Sequence, residues 1–149
     1  MPPPRESLHR AVSALQRLAE LFVERREQLA SEAGLGVPQW RLLEEIATEH
    51  FMPSMFARRR SVSSAAISKL IRGLLDRGLI SVKVSPEDGR QRNYALTARG
   101  RRTLDALRSS REHAIAAVWS DLPPRELERF ADFGEELADR LESYAADPG

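Results

Sequence analysis

Two arginines, Arg90 and Arg92, follow an Asp-Gly pair in the stretch SPEDGRQRNYALT at residues 85–97. A guanidinium is attracted by the strong negative potential of a narrow DNA minor groove, where it reads groove width more than base identity. Asp88 lies two residues before Arg90. Its carboxylate could accept hydrogen bonds from that guanidinium and so orient it before it contacts DNA. The pattern favours DNA contact by Arg90 over a functionless exposed ion pair. For Arg92, DNA contact and simple solvation are equally open.

The segment that follows Ser63 supplies a second set of candidate DNA contacts. Ser63 can cap a helix because its hydroxyl can accept from a free backbone N–H. The helix predicted after it has one apolar face, and its opposite face has small and cationic residues with no acid before Asp76. Small residues let a helix approach base edges, serines and alanine methyls can meet the bases, and cations bind phosphate. The candidate contacts, with capping and solvation as the alternative for the serines, are Ser63, Ser64, Ala65, Ala66, Ser68, Lys69 and Arg72.

The charge of the chain is unevenly distributed. Residues 51–102 contain 12 Lys and Arg and 3 acidic residues, which gives +9, whereas the rest of the chain carries −8. Such a basic block suggests a polyanionic partner, with a solvated basic face as the alternative. One of Arg58, Arg59 and Arg60 is expected to touch a DNA phosphate, and the alternative is that they are solvated and complement the helix dipole.

Composition excludes several classes of protein. A chain of 149 residues is expected to form a single domain, 1–149. It has no cysteine, no apolar run long enough for a membrane span and no signal peptide, so we predict a cytoplasmic protein without membrane contact. His9, His50 and His113 lack metal-ligand spacing, and no nucleotide-binding or hydrolase motif occurs. We therefore expect no enzyme activity, no metal and no cofactor.

Hydrophobic periodicity predicts a mainly α protein with a small β-hairpin. Leu79–Ser85 alternates apolar and polar residues, Tyr94 and Leu96 resume the alternation, and Pro86 with Asp88-Gly89 marks the turn. A glycine there could adopt a positive φ, and an aspartate can bond its own backbone. Helices are predicted at about 5–32, 38–47, 54–59, 63–77, 98–119 and 125–144.

This order is the layout of a helix-turn-helix followed by a β-hairpin wing. The long first and last helices have more apolar residues than a small core can cover. A two-fold symmetric partner is the economical way to bury them, although a larger core within one chain is the alternative.

Four groups of residues, taken in order, resemble the MarR family of bacterial winged-helix transcription regulators. They are LGVPQWRLL at 35–43, VS at 62–63 followed by ISKL at 67–70, DRGLI at 76–80, and DGR at 88–90 leading to LTxxG at 96–100. No single group is very specific, but the ordered set is. Arg60 and Ser61 stand where the family usually has a buried leucine and a glycine, so a departure from family geometry is expected in that turn.

The resemblance implies a homodimer that binds double-stranded DNA. In it, a DNA-binding lobe at 36–98 would place a recognition helix in the major groove and the wing in the minor groove of a pseudo-palindromic operator. The segments 5–32 and 99–145 would form the dimerisation lobe. The Asp-x-Arg pair of the family wing carries over onto Asp88 and Arg90.

Family members are commonly released from DNA by small amphipathic ligands, often phenols or carboxylates, which implies a repressor with such an effector. Candidate pocket residues are Trp40, His9, Phe22 and Phe51, although aromatic residues at helical spacing are more often core. Two other functions were weighed against the regulator. One is a protein–protein adaptor that kept the winged-helix fold, and the other is a nonspecific architectural DNA binder.

Overall fold

A computed structural model describes residues 1–48 and 51–149. Among these residues the elements are six helices and one two-stranded antiparallel sheet. In chain order they are α1 Arg5–Glu32, α2 Val37–Ala47, α3 Pro53–Arg59, α4 Ser64–Asp76, β1 Ile80–Val84, β2 Arg92–Leu96, α5 Ala98–Trp119 and α6 Pro124–Ala146. The prediction of a mainly helical chain with a small hairpin is confirmed.

The chain divides into two compact units, residues 1–111 and 112–149. The first contains α1 to α4, the hairpin and the first part of α5; the second contains the end of α5 and α6. This division falls inside α5, beyond the end of the DNA-binding lobe expected from the sequence. Because this boundary does not coincide with the boundary predicted between the two lobes, the dimerisation lobe stays a prediction.

The buried core lies in the first unit. It is built from one face each of α2 and α4, together with residues from the C-terminal end of α1, from α3 and from the first half of α5. The largest fully buried side chains are Leu42, Leu43, Ile46, Leu74, Leu104 and Leu107. Burying one such side chain stabilises the fold by about 1.5–3 kcal/mol, so this cluster is the main term holding the unit together.

Glycines follow the ends of α1, which precedes the winged helix, and of α4, which precedes the hairpin. Gly34 after α1 and Gly78 after α4 have φ of 71° and 68°, in the left-handed region that glycine adopts without steric cost. After α4, the Gly78 and Leu79 N–H groups donate to the carbonyls of Leu75 and Leu74, which closes the helix. The stop predicted at Gly78 is thus confirmed, and the chain turns directly into β1.

Thr97 fixes the start of α5 against the hairpin. Its hydroxyl oxygen accepts from the Gly100 N–H at 3.0 Å, and its O–H donates to the Gly78 carbonyl at 2.6 Å. Gly100 is buried so close to β1 that a Cβ there would lie 1.9 Å from the Leu79 carbonyl oxygen. Only glycine permits this approach, which sets the hairpin on the base of α5.

Candidate nucleic-acid interface

Helix α4 begins as the sequence predicted. Ser63 has the extended backbone of an N-cap, and its Oγ accepts from the Ala66 N–H at 3.1 Å. Ile67, Ile71 and Leu74 are buried on one face. The capping bond satisfies one of the N–H groups that the first turn of a helix leaves without a partner.

The opposite face of α4 is available for contact. Ala65, Ser68, Lys69 and Arg72 are all exposed, and helical spacing places them side by side as one stripe. Two of the four are small and two are cationic, which is the combination expected for a helix that approaches bases and holds phosphates.

The remaining predicted contacts on α4 lie at the margin of that stripe. Ser63 and Ser64 are exposed at the start of the helix. Ala66 is half-buried and lines a groove between α2, α3 and α4. Its methyl therefore faces the protein more than a base edge, which makes it the weakest of the predicted base contacts.

The hairpin holds Arg90 at its turn. The strands pair in a register in which Ile80 faces Leu96 and Val84 faces Arg92, and the Ser85 N–H donates to the Gln91 carbonyl at 2.8 Å. Residues 86–90 form the tip. Arg90 is exposed there and has no ion-pair partner among the residues that the structure describes.

Asp88 acts on the backbone of Arg90. Its Oδ1 accepts from the Arg90 backbone N–H at 3.0 Å, whereas the sequence suggested a bond to the guanidinium. An aspartate bonding the N–H two residues later is the usual way in which Asx turns are stabilised. Asp88 thus shapes the loop that presents Arg90 and leaves the charged group itself open.

Two details of the wing differ from the sequence expectation. Gly89 does not adopt a positive φ, and a Cβ added there would meet nothing within 4 Å. Arg92 is the first residue of β2 and not part of the tip. Since successive strand residues point to opposite faces, its side chain and that of its partner Val84 share a sheet face.

Aromatic rings connect the wing to α3. The Tyr94 ring lies edge-on to the Phe51 ring, with centroids 5.9 Å apart, and Phe51 makes a similar contact with Phe56. Contacts of this geometry stabilise by about 0.5–1.5 kcal/mol beyond burial alone. The hairpin is therefore held at its base while its tip extends outward.

The three consecutive arginines at the end of α3 have different surroundings. Arg59 pairs with Glu45 of α2 at 2.9 Å, and the Arg60 guanidinium carbon lies 6.0 Å from the centre of the Phe56 ring. Arg58 is exposed and has no ion pair within the described part of the chain. Arg58 is thus the member of the set best able to contact a phosphate.

The turn between α3 and α4 departs from ideal geometry where the sequence is unusual. Ser61 has φ of 51°, and it is the one non-glycine residue with positive φ among those described. Arg60 is exposed, and its guanidinium group lies over the Phe56 ring. The turn is preserved, at a cost in backbone strain at Ser61.

The four residues predicted for an effector pocket do not come together. Trp40 is buried and lines a cavity of about 320 Å³. His9 lies on a shallow surface near the start of α1, and Phe22 is 56% exposed. Phe51 packs between Phe56 and Tyr94. The effector pocket therefore stays a prediction, because aromatic spacing along a sequence does not reveal which element each ring will contact.

Charged residues that the sequence did not single out line the Trp40 cavity. Four arginines and two glutamates contribute to its wall: Arg26, Arg41, Arg60, Arg111, Glu44 and Glu45. The Arg111 guanidinium carbon lies 5.9 Å from the centre of the Trp40 ring. No local motif marks these arginines, which come from α1, α2, α5 and the residue after α3.

Glu44 is the most connected carboxylate of the cavity. It accepts from Arg108 Nη2 at 2.6 Å and from Trp40 Nε1 at 3.3 Å. Burial favours the neutral carboxyl, but the Arg108 hydrogen bond and the charges of Arg108 and Arg111 outweigh it and lower the pKa of Glu44. The same hydrogen bond raises the pKa of Arg108. The pair connects α2 to α5 within the first unit.

Within the described residues, no group of three or more His, Asp or Glu side chains could hold a metal ion. His50 lies outside the described residues. No described helix is long and apolar enough to cross a membrane.

The sequence of the winged-helix segment matches a family model. Residues 33–91 match the model described as MarR family. The winged-helix segment of this chain is therefore similar in sequence to the MarR family. A comparison with curated proteins found no match.

Solved structures share this MarR-family fold over nearly the whole chain. The crystal structure of a MarR family transcription regulator is 22% identical, with a TM-score of 0.82, and the match covers 95% of each chain. Staphylococcus aureus MarR in complex with salicylate and kanamycin is 17% identical, with a TM-score of 0.76 and coverage of 93% and 95%. A Staphylococcus aureus MepR variant bound to an oligodeoxyribonucleotide is 19% identical, with a TM-score of 0.67 and coverage of 88% and 97%.

Proposed function

We propose that this chain is a homodimeric, sequence-specific DNA-binding transcription regulator that acts as a repressor and is released by a small ligand. Its sequence similarity to the MarR family supports the class of regulator over an enzyme. Two observations carry the proposal: the exposed stripe of α4, and the exposed Arg90 at the hairpin tip, which has no ion pair in the described part of the chain.

The proposed binding mode follows from the chemistry of that surface. Ser64, Ala65 and Ser68 would face base edges in the major groove, while Lys69 and Arg72 would bind phosphates. Arg90 would enter the adjacent minor groove, presented by the loop that Asp88 stabilises. Arg58 and Arg92 would lie close enough to add phosphate contacts.

A homodimer is supported by the apolar faces of the long helices. Leu8, Val12, Leu15 and Leu18 recur along α1 and are 40–51% exposed in the single chain. Helix α6 buries no residue, and Phe130 and Phe133 are 52% and 63% exposed. Monomeric proteins rarely leave so much apolar surface in water, and a second copy would cover it. Two copies would read half-sites about one turn, or 10–10.5 base pairs, apart.

A small ligand is supported by structural neighbours and by the cavity at Trp40. A salicylate complex is known for one neighbour with this fold. In this chain the corresponding proposal is an amphipathic phenol or carboxylate in the cavity that Trp40 lines.

The proposal is tested by selecting genomic DNA on the purified protein and measuring affinity for the enriched site. Arg90→Ala should weaken binding by well over tenfold, because an arginine inserted in the minor groove is lost. Arg125→Ala on α6 removes an exposed arginine outside the basic block and is the matched control. Equal affinity of the Arg90→Ala variant and the unaltered protein would refute the role of the wing.

The salt dependence and the footprint separate the other two functions. Many phosphate contacts make affinity fall steeply as salt rises, whereas an adaptor would show little retention on DNA at any salt concentration. A short symmetric footprint is expected for the regulator. Uniform protection along the DNA would instead identify an architectural binder.

A further inference from the structure

Arg77 connects the end of α4 to the end of α1. It is the residue directly after α4, and its Nη1 donates to the carbonyl of Gly34, two residues after α1, at 2.5 Å. The two residues are 43 positions apart in the sequence. Arg77 forms no ion pair within the described part of the chain. Its guanidinium therefore serves this contact between two helices of the first unit.

Gly34 leaves room for the guanidinium. A Cβ at this position would lie 3.2 Å from Arg77 Nη2, which is closer than ordinary van der Waals contact. The φ of 71° also strains any residue with a side chain. A larger residue at Gly34 would thus press directly on the Arg77 guanidinium.

The end of α1 lacks a positive charge of its own. The last carbonyls of a helix carry partial negative charge, which a basic residue in the last turn can balance. Helix α1 has no basic residue in its last turn, and Glu32 adds a negative charge there. Arg77 supplies a cation from another helix, and a charged donor makes a stronger hydrogen bond to a carbonyl than a neutral one.

Both ends that Arg77 connects are fixed in the core. At the end of α1, Ala30 is fully buried and its carbonyl accepts from the Leu35 N–H at 2.9 Å. At the end of α4, Leu74 is fully buried and its carbonyl accepts from the Leu79 N–H at 3.0 Å. A contact between two fixed points constrains the direction of one helix relative to the other.

We propose that Arg77 is a positioning residue that sets the spacing of the two half-sites read by a dimer. The proposal rests on the proposed function, in which α1 packs against a second copy and α4 enters the major groove. With α1 held by the partner, the angle between α1 and α4 determines the distance and rotation between the two α4 helices. One base pair rotates DNA by about 34–36°, so a small change in that angle favours a different spacing.

The first test measures the arrangement of α1 and α4 without DNA. The chain has no cysteine, so Glu24→Cys and Ser68→Cys can place spin labels at exposed positions on the two helices. Pulsed electron paramagnetic resonance, with excess unlabelled protein, then gives the distance distribution within one chain. Arg77→Gln should at least double its width, whereas Arg99→Met, which removes an exposed arginine of the same basic block, should not change it. Identical distributions for Arg77→Gln and the unaltered protein would overturn the proposal.

Two further variants separate this contact from a general loosening of the fold. Arg77→Lys keeps a cationic donor and should recover at least half of the lost narrowness. Gly34→Ala crowds the guanidinium from the other side and should broaden the distribution as Arg77→Gln does. If Arg77→Gln does not fold, Gly34→Ala decides, and an unchanged distribution in that variant would contradict the proposal.

The second test measures affinity for the selected operator, for the same operator with one base pair inserted between its half-sites, and for a single half-site. The unaltered protein should prefer the original spacing at least tenfold. Arg77→Gln should lose at least fivefold of that preference and keep its affinity for the single half-site within twofold, whereas Arg99→Met should keep the preference.

The pattern of losses decides the role of Arg77 in DNA binding. An equal loss on all three DNA molecules in Arg77→Gln would refute the role in spacing, because a weakened fold affects every site alike. Failure of the unaltered protein to bind any DNA would count against the proposed function, and the spin-label result would stand by itself.

Discussion

The winged-helix part of the chain and its long terminal helices bury their apolar residues very differently. Helix α2 has 11 residues and buries four of them, Trp40, Leu42, Leu43 and Ile46. Helix α6 has 23 residues and buries none, although its apolar residues are well segregated along one side. Helix α1 is intermediate, since only Leu29 and Ala30 near its end are buried.

The difference distinguishes a core that one chain closes from apolar helix faces that stay exposed in a single chain. The winged helix has a closed core within one chain, which residues from the end of α1 and the start of α5 complete. The terminal helices keep amphipathic sequences without an apolar surface to cover them. Amphipathic helices in water gain most of their stability from packing, so these helices are predicted to complete their core in the dimer.

The largest effect is expected from a charge placed on the exposed apolar face of α1. Leu15→Glu should weaken dimerisation at least about 100-fold, or about 2.7 kcal/mol, because two-fold symmetry buries the new carboxylate twice. Sedimentation equilibrium measures the change in dimer dissociation. Phe133→Glu on α6 should act in the same direction.

Arg17→Glu is the matched control, since it introduces the same side chain on the same helix away from the apolar stripe. The winged helix should remain folded in all three variants, as its core does not include these positions. If Leu15→Glu left the dissociation constant unchanged, the apolar face of α1 would have no role in assembly.

The next largest effect is expected at the closest backbone contact of the winged helix. Gly100→Ala should lower the free energy of unfolding by about 3 kcal/mol, because its Cβ would overlap the Leu79 carbonyl and force β1 away from α5. Urea unfolding followed by circular dichroism measures this loss.

Gly134→Ala on α6 is the control, for which a gain in stability is expected and not a loss. A Cβ at Gly134 meets nothing within 4 Å, so alanine should only raise helix propensity, by up to about 1 kcal/mol. Equal effects of the two substitutions would mean that the approach of Gly100 to Leu79 is not tight.

Local signals in the sequence were sufficient for the elements of the fold. The cap at Ser63, the stop at Gly78 and the period of the hydrophobic residues depend on neighbours within a few positions, and the structure confirms each of them. The resemblance to the MarR family came from the same short segments, and the family match over residues 33–91 confirms it.

The surroundings of individual side chains could not be predicted in this way. Whether Asp88 would bond a guanidinium or a backbone N–H depends on loop geometry, and the backbone is closer. The Trp40 cavity combines arginines from separate elements, so no local pattern reveals it. The DNA contacts remain predictions, since exposure shows that a residue is available and not what it binds.

A smaller effect is expected at the ion pair that connects α2 to α5. The pKa of Glu44 is lowered in the folded protein, so its contribution is present above the unfolded pKa and is lost as pH falls through the folded value. Glu44→Gln should therefore destabilise the protein at about pH 7 and have little effect in acid. Because the two side chains are 31% and 41% exposed, the difference should be no more than about 1 kcal/mol.

Urea unfolding at several pH values measures that difference for Glu44→Gln. Glu136→Gln on α6 is the control, because its pair with Arg140 is more exposed and should contribute less. An effect of Glu44→Gln that does not change with pH would show that hydrogen bonding, and not charge, holds α2 to α5.

The smallest effect is expected at Ser61, where the positive φ strains the backbone. A non-glycine residue in the left-handed region costs about 1–2 kcal/mol, whereas glycine loses about 0.5–1 kcal/mol more entropy on folding. Ser61→Gly should therefore raise the free energy of unfolding by less than about 1 kcal/mol, as measured by urea unfolding. Ser68→Gly, in the regular part of α4, should lower it instead. A loss of stability in both variants would mean that the Ser61 backbone relaxes to a negative φ in solution, since only a residue held at φ of 51° gains from glycine.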